Sequence, residues 1–255
     1  ISYDVFKWDR TTELRGLQPD MLPLTSVRPI DHFNGYHTFF AELSSGQSAA
    51  PFKTVKDYED GLSRIDDFVV IVDTAIARMR QGMATGVVQP RLVVENVVEQ
   101  LDQMLGESVE ASAFYKPLTA FPATVPAAEQ ERLRAAYRQS ISTELRPALQ
   151  RLRDFMANEY LAAARPSVGL LHMEGGPELY RYLVEVRTTT NLTPDQIHQI
   201  GLDEVKRVHA EMETVKAQVG FTGTRQHFFE HIRTVPKFKP ESREWLEQEY
   251  VRVGT

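Results

Sequence analysis

Apolar residues recur every three or four positions along one long stretch of the chain that begins after Thr54. This spacing predicts an α-helix with one buried face, because about 3.6 residues make one helical turn. Val70 and Ile71 lie beside that face and widen it, which predicts a central helix that touches neighbours on more than one side. The stripe consists of Tyr58, Leu62, Ile65, Val69, Val72, Ile76, Met79 and Met83.

The same periodicity predicts further helices on both sides of the central one. Residues 90–106 form a helix with proline in its first turn, and residues 127–164 form one long helix that Pro147 should kink or divide. Prolines interrupt residues 16–46 and 113–126, which predicts an extended, wrapping segment and a loop. Shorter helices are predicted at residues 1–15, 177–186, 224–233 and 242–253.

The start of another helix is marked unusually clearly at Thr193. The Thr193 side chain can accept from free backbone N–H groups, Pro194 suits the first helical position, and Gln196 completes a capping box. An apolar stripe follows, with the spacing of a single buried face, and the helix should end at Gly220. The stripe consists of Ile197, Gly201, Val205, Val208, Met212, Val215 and Val219.

No run of alternating apolar and polar residues is long enough to indicate a strand. The predicted fold is therefore all-α, a multi-helix layered bundle with no substantial sheet. The chain contains no repeat and no clear linker, so residues 1–255 are interpreted as a single helical domain. A soft boundary is possible near residues 165–176, where the helical pattern is interrupted.

Composition and charge exclude several classes of function. The 29 basic and 35 acidic residues give a net charge of −6, and no dense basic run is present, which disfavours a nucleic-acid partner. Cysteine is absent, so the chain has no disulfide and no thiolate ligand. The longest apolar run, residues 68–73, ends at an aspartate and predicts no membrane span.

Five segments together resemble a bacterial family called domain of unknown function 885. They are residues 2–9, 51–58, 86–91, 175–180 and 187–212, and the resemblance covers nearly the whole chain. Members of that family resemble helical zinc metallopeptidases of the gluzincin kind, with a His-Glu-x-x-His helix downstream of the region present here. That motif is missing from this sequence, which also opens at Ile1 rather than Met. The resemblance therefore implies the N-terminal portion of a longer protein.

The resemblance also implies partners, a cofactor and a location. The missing C-terminal half of the same protein is the expected partner, a peptide is the expected substrate, and zinc is expected in the full-length parent but not in this chain. Many members are exported, often as lipoproteins, which implies a periplasmic or cell-envelope location. The resulting hypothesis is a non-catalytic helical region that lines a substrate channel. The alternative is a helical scaffold or a protein- or peptide-interaction domain without a catalytic role.

One motif within the chain itself resembles a metal site. His227 and His231 flank Glu230 in a His-x-x-Glu-His arrangement, the inverted zincin spacing, which puts two imidazoles one helical turn apart. Zinc needs a third protein ligand, and only glutamates close in sequence follow. The other interpretation is an ordinary amphipathic helix in which Phe228 and Ile232 pack, and the prediction is that this chain holds no metal.

Three residues are candidates for lining a substrate cleft, and no residue is predicted to be catalytic. Tyr180 follows the glycine pair at 175–176, and its hydroxyl could act as an electrophile beside a peptidase cleft. His198 and Glu204 lie on the helix that starts at Thr193. The alternative is structural: the glycines form a turn, the tyrosine packs, and His198 simply bonds Glu204 or a loop carbonyl.

Overall fold

The computed structural model of the protein describes residues 1–254 and confirms the all-α fold. In this range the only β-type pairing is an isolated bridge between Pro90 and Arg165. The helices are α1 (Ser2–Gly16), α2 (Leu22–Ser26), α3 (Tyr36–Ser44), α4 (Val55–Thr85), α5 (Arg91–Gly106), α6 (Ala127–Ser140), α7 (Arg146–Asp154), α8 (Leu161–Ala163), α9 (Gly176–Thr188), α10 (Pro194–Gln218), α11 (Arg225–Thr234) and α12 (Arg243–Gly254).

The chain divides into two compact units, one covering Ile1–Thr189 and the other beginning at Thr190. The first unit contains α1 to α9, and the second contains α10 to α12. Residues 165–176, where the sequence suggested a soft boundary, lie inside the first unit.

Helix α4 is the centre of the first unit, and both of its ends are encoded locally. The Asp57 carboxylate accepts from the backbone N–H groups of Lys53 and Thr54, and Thr54 Oγ1 accepts from the Asp57 N–H, which completes a capping box. The helix ends at Gly86, whose φ of 77° lies in the left-handed region that glycine adopts without strain.

The core of the first unit forms where α4 and α5 each pack against the long helical stretch from α6 to α8. The predicted stripe is buried there at Tyr58, Ile65, Val72 and Met79. Full burial of one large aliphatic or aromatic side chain contributes roughly 1.5–3 kcal/mol, so this core carries most of the fold's stability. Its largest fully buried partners from the other helices are Leu101, Leu133, Ile141, Leu145, Leu149 and Tyr160.

The long helical stretch predicted at residues 127–164 is present, and it is interrupted as predicted near Pro147. A π-helical turn at Ile141–Leu145 immediately precedes α7, in which Pro147 occupies the first turn. Proline has no N–H and crowds the preceding carbonyl, so α-helical bonding cannot continue through it. A second π-helical turn, Phe155–Tyr160, leads into α8.

Residues 88–91, between α4 and α5, are held by hydrogen bonds from two distant parts of the first unit, around Ile30 and at residues 160–165. The Gln89 N–H donates to the Tyr160 hydroxyl at 2.9 Å, and Gln89 Nε2 donates to the Ile30 carbonyl at 3.1 Å. The buried Arg165 exchanges backbone bonds with Gln89 and Arg91 at 3.1 and 2.7 Å. The polar backbone of this connection is therefore satisfied inside the protein.

The prediction of an extended segment at residues 16–46 is wrong, because α2 and α3 lie within it. One proline and one glycine of the segment stand at helix starts: Pro23 is in the first turn of α2, and Gly35 is the N-cap of α3. Helix α3 is stabilised by tertiary packing, since Phe40 stacks on Phe68 of α4 with ring centroids 4.2 Å apart.

In the second unit the predicted start of α10 is confirmed, but the predicted burial of its stripe is not. Thr193 and Gln196 form the capping box, with bonds of 3.2 and 2.8 Å. No residue of α10 is buried, and Val205 and Val215 are each at least half exposed. Helical periodicity identified the apolar face correctly, but periodicity carries no information about whether a neighbour covers that face.

Gly61 provides a test of the packing between α4 and α6. A methyl group at this position would overlap the Tyr137 hydroxyl, which donates to the Tyr58 carbonyl at 2.9 Å. We expect Gly61→Ala to lower the free energy of unfolding by about 1–3 kcal/mol, as overpacking does.

The measurement is urea denaturation followed by circular dichroism. Gly106→Ala is the matched control, because a methyl group there meets no atom within 4 Å. The control should change stability by less than about 0.5 kcal/mol. Equal effects of the two substitutions would contradict the close approach at Gly61.

Candidate functional site

A surface groove in the first unit lies between the segment before α3 and the outer face of α4. It has a volume of about 240 Å³ and is lined by Pro29, Tyr36, Val70, Ile71, Thr74, Ala75 and Arg78. Val70 is 64% exposed and Ile71 is 43% exposed, so two large aliphatic side chains face solvent. Positions 70, 71, 74 and 78 share one side of α4, since position 74 is four and three residues after 70 and 71, and position 78 is four residues further.

The helix face that forms the groove carries a positive charge without a partner. Arg78 makes no hydrogen bond and no ion pair with any residue between 1 and 254. Its neighbours differ: Arg80 pairs with Glu159 at 2.8 Å, and Arg151 pairs with Asp73 at 3.0 Å. The groove therefore combines an exposed apolar surface with a guanidinium that is free to bind an anion.

A buried polar cluster supports α3 next to the groove. Gln100 Nε2 donates to the His32 carbonyl at 2.9 Å, so its Oε1 accepts from His37 Nε2, also at 2.9 Å. His37 is fully buried, and its Nδ1 has no hydrogen-bond partner among the described residues. Burial lowers the pKa of His37, although the bond to Gln100 and the charge of Asp31 partly oppose this. The imidazole is therefore held neutral.

The sequence-derived cleft candidates lie in different units. Tyr180 is on α9 of the first unit and is 47% exposed. His198 and Glu204 are exposed on α10 of the second unit, where Glu204 bonds Arg207 at 2.9 Å. Six residues separate these two on one helix, so they point in different directions and do not bond each other. Their role in lining a cleft stays a prediction.

The His-x-x-Glu-His motif lies on α11 and gains no third ligand. Both His227 and His231 are exposed, and the His231 ring contacts Phe221 with centroids 5.2 Å apart. Glu230 accepts from Gln226 at 3.4 Å. Within residues 1–254 no three side chains of the histidine, aspartate or glutamate type are grouped to hold a metal ion. The donor set does not fit zinc, which requires at least three protein ligands.

Sequence reasoning missed the groove, although part of its signal was visible. The sequence predicts that Val70 and Ile71 contact neighbouring helices, and this prediction is wrong because both side chains are exposed. Thr74 and Arg78 continue the same face at helical spacing. Tyr36 could not have been found, since only the tertiary fold brings it to α4.

The protein is thus an all-α protein with two compact helical units and an exposed groove in the first of them. Its sequence also shows the family to which it belongs. The chain belongs to the family described as "Bacterial protein of unknown function (DUF885)", which matches residues 1–253. Comparison with curated proteins finds no significant match. Between Ser2 and Gly254, no helix combines the length and apolar character that crossing a membrane requires.

A solved structure shows the same fold within a longer chain. It is the crystal structure of a protein described as "the putative lipoprotein from Colwellia psychrerythraea", with a TM-score of 0.78 and 21% identity. The similarity covers 89% of the present chain but 39% of that protein. The chain thus spans well under half the length of this neighbour, and the likeness establishes the fold.

The geometry of α11 leads to an expectation for metal content. The purified chain should contain no stoichiometric zinc by mass spectrometry, because His227 and His231 lack a third ligand. The His227→Ala, His231→Ala double variant should give the same result. One equivalent of zinc that is present in the unsubstituted chain and lost from this variant would place a metal site in α11.

The buried His37 makes stability depend on pH. Its pKa is lowered in the folded state, so below about pH 6.5 the unfolded chain binds a proton that the folded chain does not. The contribution of neutral His37 to the free energy of unfolding is therefore fully present above about pH 6.5. This contribution is lost as the pH falls toward the lowered pKa of the folded state.

We expect His37→Gln to flatten the fall in unfolding free energy between about pH 7 and pH 5, where histidine titrates. Urea denaturation at several pH values measures this slope. His172→Gln, at an exposed position of the same unit, is the matched control and should leave the slope unchanged. A slope that is identical in all three proteins would rule out the contribution of His37.

Proposed function

We propose that this chain is the helical N-terminal region of a longer protein of its family and forms one wall of a channel for a peptide substrate. It contributes no catalytic residue of its own. Membership of the family supports this proposal, as does a structural neighbour that is much longer than the chain. The groove on α4 supplies an apolar surface of the kind that contacts a ligand.

The observation that carries the proposal is the exposed apolar face of the second unit. Helix α10 has 25 residues, and its hydrophobic side chains are arranged for burial, yet none of them is buried. A helix in water gains most of its stability from packing such a face. Trp245 and Leu246 on α12 are also exposed. Large exposed apolar surfaces mark interaction sites, so this unit is suited to packing against further protein.

The occupant we propose for this face is the remainder of the same protein. Most of the solved neighbour lies outside the part that resembles this chain, so a longer family member has enough additional structure to cover α10. The surface of α10 outside the stripe is strongly charged, with Arg207 bonded to Glu204 and Glu211. Such a helix packs its apolar face against protein and exposes its charged face to water.

The chemistry of the complete protein is proposed from the family resemblance to be hydrolysis of a peptide amide by a zinc-activated water. No set of described residues in this chain fits zinc, so the metal and its general base are expected outside it. The described part of the chain would bind and orient substrate. Tyr180, His198 and Glu204 remain the positions proposed to line the channel.

The proposed location is the cell envelope. The solved neighbour carries the word lipoprotein in its description, and a lipid anchor attaches a protein to a membrane without a transmembrane helix. The net charge of −6 argues against a nucleic-acid partner.

A second candidate is a helical scaffold that binds a protein or a peptide without any associated hydrolysis. The groove and the exposed face of α10 support the scaffold as well as they support the channel wall, because both are binding surfaces without a reactive group. Activity of the complete protein separates the two candidates. A complete protein in which α10 is covered but no peptide is cleaved would indicate the scaffold.

Hydrogen exchange on the complete protein and on this chain alone tests the covered face. Amides of α10 should exchange more slowly in the complete protein, because packing suppresses local opening. Peptide cleavage by the complete protein should stop when zinc is chelated, and the isolated chain should show none.

Charge substitutions provide the matched comparison. Val205→Glu and Val215→Glu place a carboxylate on the apolar face and should restore fast exchange in the complete protein. Lys206→Glu, on an exposed position beside the stripe, should have no effect. Equal exchange of α10 in the two unsubstituted proteins would refute the docking proposal.

A further inference from the structure

We infer that the groove on α4 binds the C-terminal residue of a peptide, with Arg78 contacting the terminal carboxylate and Val70 and Ile71 contacting an apolar side chain. This inference rests on the proposed peptide substrate and names the part of the peptide that this chain recognises. It depends on three observations: the unpaired charge, the adjacent apolar surface and the size of the groove.

The unpaired charge at Arg78 distinguishes it from the arginines that bridge helices of the first unit. Arginines that bridge α4, α5 and α7 have acidic partners, as Arg151 has Asp73 and Arg153 has Asp102 at 2.8 Å. Arg78 has none within residues 1–254, so its five N–H donors are available. A guanidinium matches the two oxygens of a carboxylate and can bind both at once.

The apolar surface lies within the same groove as the charge. Val70 and Ile71 are two helical turns before Arg78 on α4, and Tyr36 and Pro29 close the other side. The buried Ala75 provides a shallow floor between these walls. A ligand that satisfies both parts must carry a carboxylate close to an apolar group.

The size of the groove limits the ligand to a small group. Its volume of about 240 Å³ is below the roughly 300–1,000 Å³ of sites that enclose a whole small molecule. A C-terminal leucine or valine carries its carboxylate and its apolar side chain on one carbon atom, which suits this space. An acidic side chain within a peptide has no apolar group attached at its carboxylate, and an acyl chain would need a longer channel.

The test is a nuclear magnetic resonance titration of the chain with methyl-labelled Val70 and Ile71. The probes are N-acetyl-Ala-Ala-Leu with a free carboxylate, the same peptide as its amide, and N-acetyl-Ala-Ala-Ser with a free carboxylate. We expect the free leucine acid to bind most tightly. The amide should bind about three- to tenfold more weakly, because it loses the charge-assisted hydrogen bonds.

Two substitutions separate the contributions of charge and apolar surface. Arg78→Gln should make the acid and the amide of the leucine peptide bind equally, and Ile71→Ser should weaken both by a similar factor. Both side chains are exposed, so neither change should disturb folding. Arg187→Gln, at an exposed position on α9, is the matched control and should leave all affinities unchanged.

Several outcomes would overturn the inference. These are equal binding of acid and amide by the unsubstituted chain, an undiminished preference in Arg78→Gln, shifts confined to methyl groups outside the groove, or self-association that covers Val70 and Ile71 without peptide. None of them bears on exchange at α10 in the complete protein. The channel-wall proposal and this inference can therefore fail independently.

Discussion

The polar connection between α4 and α5 is the constraint on which the arrangement of the first unit depends. Gln89 is bonded through its backbone to Tyr160 and through its side chain to Ile30, and Arg165 bonds the same connection from the end of the long helical stretch. A backbone that enters an apolar core must satisfy its N–H and C=O groups there. Because these partners come from two separate segments, satisfying them fixes the segment before α3 against α4. That placement forms the groove.

Hydrophobic side chains have two distinct roles in this protein. Those on the inner face of α4 are buried and hold the bundle together, as Met79 does. Other apolar side chains remain exposed, although exposing apolar surface to water is unfavourable in free energy. These are Val70 and Ile71 on the outer face of α4, and Val205 and Val215 on α10. Exposed apolar surface of this extent is typical of proteins that bind something. The two surfaces differ in what accompanies them, since the α4 groove includes an unpaired guanidinium and the α10 stripe is purely apolar.

Many arginines of the first unit are paired with a carboxylate, whereas Arg78 is not. Exposed ion pairs such as Arg80 with Glu159 contribute about 1 kcal/mol or less each, so their effect on stability is small. Their effect on recognition is larger, because each pair neutralises a charge that would otherwise attract a ligand. Arg78 is left uncompensated next to an apolar surface, whereas the imidazoles of α11 are exposed without a third ligand.

The sequence by itself determined the helical class, the central position of α4, and the starts of α4 and α10, because capping boxes and the 3.6-residue repeat are local features. It also indicated the interruption at Pro147, since the missing N–H acts within one helical turn. It did not reveal α3, which depends on Phe40 stacking on Phe68, nor the exposure of Ile71 and of the α10 stripe. Only the tertiary structure decided these points, because whether a periodic apolar face is buried, or becomes part of a groove, depends on residues distant in sequence.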